Sequence, residues 1–264
     1  MNQDYISRTF SLEGQEAVVT GASSGIGRGI AVSLANLGAN VALLGRNLEG
    51  LAQTEKEIRE QGGSCESYQV DVTSEEQVER FFAEHQEKHG RMDIFVANAG
   101  INYRAELLDS QMEDIDRVIN TDYKGTLYGV IRAGKIMKGQ KSGNIVIISS
   151  INGLSAMGNL AVYSSIKYAL EGITRSLAAS LGPYGVRVNS CAPGVILSNI
   201  NKNVYGKESN LQAKLKSIPL GRIGAPCDIG DVVASMVGNA FRFMTGTTIL
   251  VDGGELLRGM QKQD

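Results

Sequence analysis

Along this chain, short apolar runs alternate with longer stretches in which apolar residues return every three or four positions. The short runs predict strands at 17–20, 41–44, 67–70, 94–97, 145–149, 186–192 and 248–251. The longer stretches predict helices at 26–37, 48–61, 75–89, 112–137, 162–181 and 227–243. This alternation is the signature of a parallel sheet covered by helices on both faces. The expected class is therefore α/β, a doubly wound parallel β-sheet flanked by helices, in a single domain spanning 1–264 with no repeat or linker dividing it. The stretch 197–218 is polar, rich in Asn and Lys, and lies between a strand and a helix. It is read as a candidate substrate lid, with a plain surface insertion as the alternative.

Composition narrows the partners more than the fold. In 264 residues, 26 Lys and Arg face 28 Asp and Glu, a formal charge of -2, so no basic excess exists to grip a phosphate backbone and nucleic acid is not an expected partner. The amino terminus, Met-Asn-Gln-Asp-Tyr, has no basic stretch leading into an apolar one. Nor does any apolar run approach the roughly 20 residues of a membrane span. The expectation is a soluble cytoplasmic protein without a membrane partner. Cys65, Cys191 and Cys227 are odd in number and widely spaced, which fits reduced thiols rather than disulfides or zinc. Cys191, with apolar strand neighbours, reads as a packed structural residue. His85 and His89 stand at i,i+4 on a charged helix, but without a third ligand they read as solvated surface histidines, and no metal is expected.

Candidate chemistry lies in two places. The run Thr20-Gly-Ala-Ser-Ser-Gly-Ile-Gly27 falls between an apolar strand and an amphipathic helix. Gly21 would permit the turn, and Gly25 and Gly27 would let backbone amides and the helix start approach a pyrophosphate, with Ile26 between them and the Ser23 and Ser24 hydroxyls as further donors. The second place is Tyr163-Ser-Ser-Ile-Lys167, where helical spacing brings a phenol and an ammonium onto one face. Ser150, ending the preceding strand, offers a neutral hydroxyl to a substrate oxygen. A phenol ordinarily titrates near 10, and the lysine charge would favour phenolate, so Tyr163 could pass a proton while a nucleotide carries hydride. At the end of the second strand, Gly45 supplies no carboxylate for ribose hydroxyls, whereas Arg46 could pair with a 2′-phosphate. NADP(H) is thus the preferred cofactor expected, with NAD(H) possible.

From Thr20 to Gly254 the sequence resembles the short-chain dehydrogenase/reductase family, single-domain Rossmann enzymes that use a nicotinamide cofactor. Thr20, Gly21, Gly25 and Gly27 match its glycine motif, and Asp71 with Val72 matches its adenine-contacting position. Asn98, Ala99 and Gly100 match its Asn-Ala-Gly motif, and Ser150, Tyr163 and Lys167 its catalytic serine, tyrosine and lysine. Pro193 and Gly194, followed by Ile196 and Ser198, match the Pro-Gly segment near the nicotinamide, with Ser198 where threonine is common. Asp252, Gly253 and Gly254 match a late Asp-Gly-Gly. The resemblance also implies a homotetramer, with the helices near 112–137 and 162–181 at one interface and the carboxyl-terminal strand at another.

One match fails: Asp122 occupies the place of the family's catalytic asparagine, and Asn120 lies two residues too early, roughly 200° away on a helix. In the family that residue helps hold a water beside the lysine, largely through its backbone carbonyl, which Asp122 would retain. Its carboxylate could instead favour the charged ammonium, the side chain could merely adjust a helix bend, or activity could be lost. For the substrate, Asn102 and Arg104 after the Asn-Ala-Gly turn, and Asn152, are candidates for binding hydroxyls or a carboxylate. The leader near Phe10 and the stretch 101–106 resemble sugar-acid dehydrogenases of the family. The expected function is NAD(P)-dependent interconversion of a secondary alcohol and a ketone, on a polyol or sugar acid. The alternatives are an apolar ketone, steroid or 3-oxoacyl substrate, or a catalytically weak nucleotide-binding protein.

Overall fold

A computed structural model describes residues 2–197 and 208–260. The strands are β1 (Glu16–Thr20), β2 (Asn40–Gly45), β3 (Ser64–Gln69), β4 (Ile94–Ala97), β5 (Gly143–Ile148), β6 (Val186–Pro193) and β7 (Thr248–Val251). They form one sheet in the order β3-β2-β1-β4-β5-β6-β7, every pair parallel. The helices are α1 (Gln3–Phe10), α2 (Gly25–Asn36), α3 (Leu48–Glu60), α4 (Glu75–His89), α5 (Met112–Val118), α6 (Gly125–Gln140), α7 (Ala161–Leu181), α8 (Glu208–Lys216) and α9 (Pro226–Val237). This is the single-domain Rossmann-like, doubly wound fold that the alternation predicts.

Strand side chains alternate between faces, so each central strand feeds two cores. Val19, Ile94, Val96, Val146 and Ile148 point to the side covered by α2 and α9, whereas Val18, Phe95, Ile145 and Ile147 point to the side of Phe81, Phe82, Val130 and Met137. Each such side chain, fully buried, contributes about 1.5–3 kcal/mol. The helices α2 and α9 meet backbone to backbone: a Cβ on Gly230 would lie 2.4 Å from the Gly29 carbonyl oxygen, so only glycine permits this contact.

Several elements differ from the sequence expectation for identifiable reasons. The edge strand β3 begins at Ser64 rather than 67, because in Ser-Cys-Glu-Ser-Tyr-Gln only Cys65 is buried and the apolar signal is faint. The helix α1, not expected from the sequence, spans eight residues and buries none of them. Expected as one helix, 112–137 is instead α5 and α6 joined by a π-helical turn, Ile119–Lys124, that carries Asp122. The expected helix 227–243 stops at Val237, and a separate 3-10 turn follows at Asn239–Phe241. Of the candidate lid, positions 198–207 lie outside the described residues. Its later part forms α8, whose Lys214 pairs with Glu255.

The two histidines also depart from expectation. His85 is 1 % exposed, because it continues the buried stripe Val78, Phe81, Phe82 of α4. It lies 5.5 Å from the Phe81 ring and stacks on His89 at 4.6 Å, while His89 Nδ1 lies 3.2 Å from Glu16 Oε2. Among the described residues no group of His, Cys, Asp and Glu could hold a metal. No helix of the described residues is long and apolar enough to cross a membrane.

Burial, aided by His89, pushes the His85 pKa down to about 4. The unfolded chain therefore binds the proton first as the pH falls, so stability is lost between the ordinary histidine value of about 6.5 and pH 4. We expect the protein to be roughly 2 kcal/mol less stable at pH 5 than at pH 8 from this group alone. Urea unfolding of His85→Leu and wild type at both pH values checks this; an equal pH dependence in the two proteins would show that His85 is not the cause.

Candidate active site

The site forms at the carboxyl ends of β1 and β4, where the strand order reverses and a crevice must open. The Thr20 hydroxyl accepts from the Asn98 and Ala99 backbone N–H groups at 2.9 and 3.0 Å. The Asn98 carboxamide returns a bond to the Thr20 carbonyl at 2.8 Å. Gly21 and Gly25 have φ of 68° and 56°, the left-handed region that glycine enters without strain. At Gly27 a Cβ would fall 2.2 Å from the Gly21 carbonyl oxygen.

The start of α2 is open. Ser24 occupies the N-cap position, yet its side chain makes no cap hydrogen bond, so the first-turn N–H groups remain directed at the crevice. No acidic residue lies in that first turn. Unpaired N–H groups at a helix start favour an anion. The crevice opens into a cavity of about 410 Å³. It is lined at this end by Gly21, Ser23, Ser24, Gly25, Ile26 and Gly27. Its outer end is lined by Arg46, Asp71 and Val72, the middle by Asn98, Ala99 and Gly100, and the inner end by Asn102, Asp122, Tyr163 and Lys167. The residues present thus fit a dinucleotide.

At the outer end, the Arg46 side chain is 65 % exposed and meets Asp71 Oδ2 at 3.7 Å. Burial opposes ionisation of Asp71, but the Thr73 N–H and hydroxyl, with Arg46, outweigh it and hold the carboxyl below the usual range.

At the inner end, Tyr163 sits in the first turn of α7 and Lys167 one turn on. Lys167 is buried, its Nζ 5.3 Å from the centre of the Tyr163 ring and donating to the Ile148 carbonyl at 3.3 Å. Asp122 Oδ2 lies 3.5 Å from that ammonium, and Oδ1 accepts from the Ile101 N–H at 2.7 Å. Burial works against the Lys167 charge, yet Tyr163 and Asp122 push its pKa upward. Ser150, past the end of β5, accepts at Oγ from the Asn152 backbone N–H at 3.1 Å and carboxamide at 3.4 Å. With its lone pairs so engaged, its own hydroxyl proton is left to donate outward.

Arg104, Ser150, Asn152, Pro193, Gly194 and Ile196 do not line the cavity, the last three lying at or just past the end of β6. Ser198 lies outside the described residues. Asn47, Val70, Ile101 and Thr121 also line the cavity without having been singled out in the sequence. Asn47 carries a readable signal, since it caps α3 by accepting from the Gly50 N–H at 3.0 Å. The other three line the cavity only because strand ends and the π-helical turn converge there. The expectation of a structural Cys191 agrees with its burial, which pushes the thiol up to about 12.

Fold and cradle together define a dinucleotide-binding α/β protein. Residues 21–255 match the family model described as Enoyl-(Acyl carrier protein) reductase. An L-rhamnose 1-dehydrogenase (NAD(P)(+)) from a Sphingomonas species is 34% identical over 245 residues, covering 92% of this chain and 96% of that relative. A diacetyl reductase [(S)-acetoin forming] from Staphylococcus epidermidis is 31% identical over 253 residues, covering 92% and 98%. The crystal structure of a gluconate 5-dehydrogenase from Burkholderia cenocepacia in complex with NADP and tartrate superimposes with a TM-score of 0.88 at 28% identity, covering 94% of this chain and 98% of the other. The chain belongs to the short-chain dehydrogenase/reductase family. With the family goes the reaction class, NAD(P)-dependent oxidoreduction at a CH–OH group.

Proposed function

We propose that the protein interconverts a secondary alcohol and a ketone on a polyol, sugar or sugar acid, with Tyr163 as the acid/base group and NADP(H) as preferred cofactor. The observation that carries this reading is a single cavity holding the uncapped start of α2 at one side and the Tyr163–Lys167 pair at the other. A bound nicotinamide supplies or takes the hydride. Gly21 to Gly27 bind the pyrophosphate, and Asp71, Val72, Asn98, Ala99 and Gly100 shape the adenosine side. Pro193, Gly194, Ile196 and Ser198 are assigned to the nicotinamide end.

Tyr163 moves the proton between its phenolic oxygen and the substrate oxygen, while Ser150 donates to that same oxygen and polarises the carbonyl. Lys167 stabilises the phenolate and holds the cofactor ribose. On the substrate side, Asn102 reaches the cavity, and the segment leading to exposed Arg104 is tied to the turn before α7 by the Ala105 N–H donating to the Asn159 carbonyl at 3.1 Å. This polar entrance, with the rhamnose and gluconate enzymes among the relatives, supports a polyhydroxylated substrate. The free state of Cys65, Cys191 and Cys227 is in keeping with a cytoplasmic location. Exposed Ile131 on α6, Tyr168 on α7 and Phe243 near β7 support a homotetramer, since each leaves apolar surface on a face assigned to an interface.

Cofactor absorbance measured with rhamnose, gluconate, diacetyl, a steroid and a 3-oxoacyl thioester should show turnover on the sugar or sugar acid. Preference for the steroid or thioester would replace the substrate reading, and cofactor binding without any turnover would replace the enzyme by a binding protein. With the preferred substrate, Tyr163→Phe should lower kcat roughly a hundred- to ten-thousandfold with cofactor affinity kept; comparable turnover would remove Tyr163 from the acid/base role.

Arg46→Ala should weaken NADP(H) binding on the order of ten- to a hundredfold and leave NAD(H) binding nearly unchanged. A Cβ at Gly45 would meet Leu51 at 3.4 Å and Ser23 at 3.6 Å, so Gly45→Asp fits and should shift preference towards NAD(H). Calorimetric titration of both cofactors decides this, and unchanged discrimination in Arg46→Ala would make Arg46 a surface residue. Light scattering at micromolar concentration should give four times the chain mass; a monomer would refute the assembly.

A further inference from the structure

Asp122 combines features that a helix-bending side chain does not need. Its side chain is 0 % exposed and both carboxylate oxygens face positive partners, the Ile101 N–H at Oδ1 and the Lys167 ammonium at Oδ2. Oδ2 has no hydrogen bond of its own among the described residues, so the ammonium at 3.5 Å is the group it answers. Room for that oxygen depends on Gly100, where a Cβ would lie 2.9 Å from it. The π-helical turn brings Asp122 to 3.5 Å from the ammonium, which itself lies 5.3 Å from the centre of the Tyr163 ring.

Among the described residues, the titratable groups acting on Lys167 are Tyr163 from its own helix and Asp122 from the π-helical turn. The end of β5 brings the Ile148 carbonyl to the ammonium and the uncharged Ser149 hydroxyl to the Lys167 backbone carbonyl. Burial pushes the Asp122 carboxyl upward, and the Lys167 ammonium and the Ile101 N–H work against that by favouring the carboxylate. A cation beside a phenol promotes its deprotonation, and an anion just behind the cation takes part of that help away.

We propose that Asp122 is a positioning residue for the proton transfer: its carboxylate holds the Lys167 ammonium and offsets part of its charge, so that alcohol oxidation requires a higher pH than a neutral residue at 122 would set. This rests on Tyr163 as the acid/base group. The same carboxylate anchors Ile101, the root of the segment leading to Asn102 and Arg104, and so joins the proton-transfer pair to the substrate entrance.

The test compares wild type, Asp122→Asn and Asp122→Ala, with folding checked by thermal melting. Asn can keep the Ile101 bond but not the charge, whereas Ala loses both. For oxidation of a substrate the wild type turns over, the acid limb of the kcat/KM profile should move to lower pH in both variants, by on the order of one pH unit. Only Asp122→Ala should also raise KM severalfold. A second readout needs no substrate: ultraviolet difference titration of each form against its own Tyr163→Phe derivative should show the phenol ionising at lower pH in both variants. Should Asp122→Asn fail to fold, Asp122→Ala carries both readouts. An acid limb and an optical midpoint that stay in place or move upward would overturn the proposal, as would a drop in rate that is uniform across pH. If Tyr163→Phe retains turnover, the acid/base assignment has failed by itself, and the optical titration still decides the role of Asp122.

Discussion

The interlock between β1 and β4 is the constraint on which the rest of the site depends. Two parallel neighbours whose next segments leave on opposite faces must part at their carboxyl ends, and the gap would widen if nothing tied it. The Thr20 hydroxyl and the Asn98 carboxamide tie it with three hydrogen bonds of 2.8 to 3.0 Å, each contributing about 1 kcal/mol. That tie sets how near Gly21, Gly27 and Asn98 come to one another, a spacing that excludes any Cβ at Gly27. The start of α2 is thereby held over the crevice with its N–H groups uncommitted. A helix start suited to an anion is thus a consequence of strand order and of a serine that occupies a cap position without capping.

A second constraint comes from burying an ammonium. Lys167 must reach the inner end of the crevice through a packed helix, and a buried cation without partners is strongly disfavoured. The Ile148 carbonyl and the Asp122 carboxylate provide the compensation, and the π-helical turn delivers the second of these. A regular helix through 119–124 would direct that residue differently, because a turn with an extra residue rotates the rest of the helix about its axis. The irregularity is therefore part of the electrostatic design, and Gly100 leaves the space it requires.

Much of this was legible in the sequence, and the parts that were not have physical causes. The central strands were readable because both faces are buried and the apolar runs are nearly unbroken, as in Ile145 to Ile148. That Gly21 to Gly27 and the Tyr163 and Lys167 pair face one cavity was readable because both are local features, a turn between strand and helix and an i,i+4 spacing on one helix. The edge strand β3, with one buried side chain in six, was displaced by three residues. The π-helical turn left no trace, since hydrophobic periodicity does not distinguish one added residue in a turn from a regular helix. His85 was misread because its charged neighbours drew attention from the stripe of Val78, Phe81 and Phe82 that it continues. The direct contact between Asp122 and Lys167 depends on that turn and on a residue 45 positions away, so the sequence raised the possibility without choosing it.

The two ends of the cavity differ in how firmly they are built, and this bears on specificity. The side proposed for the cofactor lies at the ends of β1, β2 and β4, strands held in parallel register by the sheet, and at the start of α2. The side proposed for the substrate consists of the segment 101–105 and the turns before α7, joined by the Ala105 to Asn159 bond, with polar and apolar side chains exposed along it. On the proposed reading, changes there would alter which molecule enters without disturbing the crevice, in line with relatives of the same fold that are named for rhamnose, gluconate and diacetyl. Asp122 is an exception to this separation. Its carboxylate accepts from the Ile101 N–H at the root of one side and pairs with Lys167 on the other, so on the proposed reading a change in the segment 101–105 would reach the ammonium by way of one carboxylate.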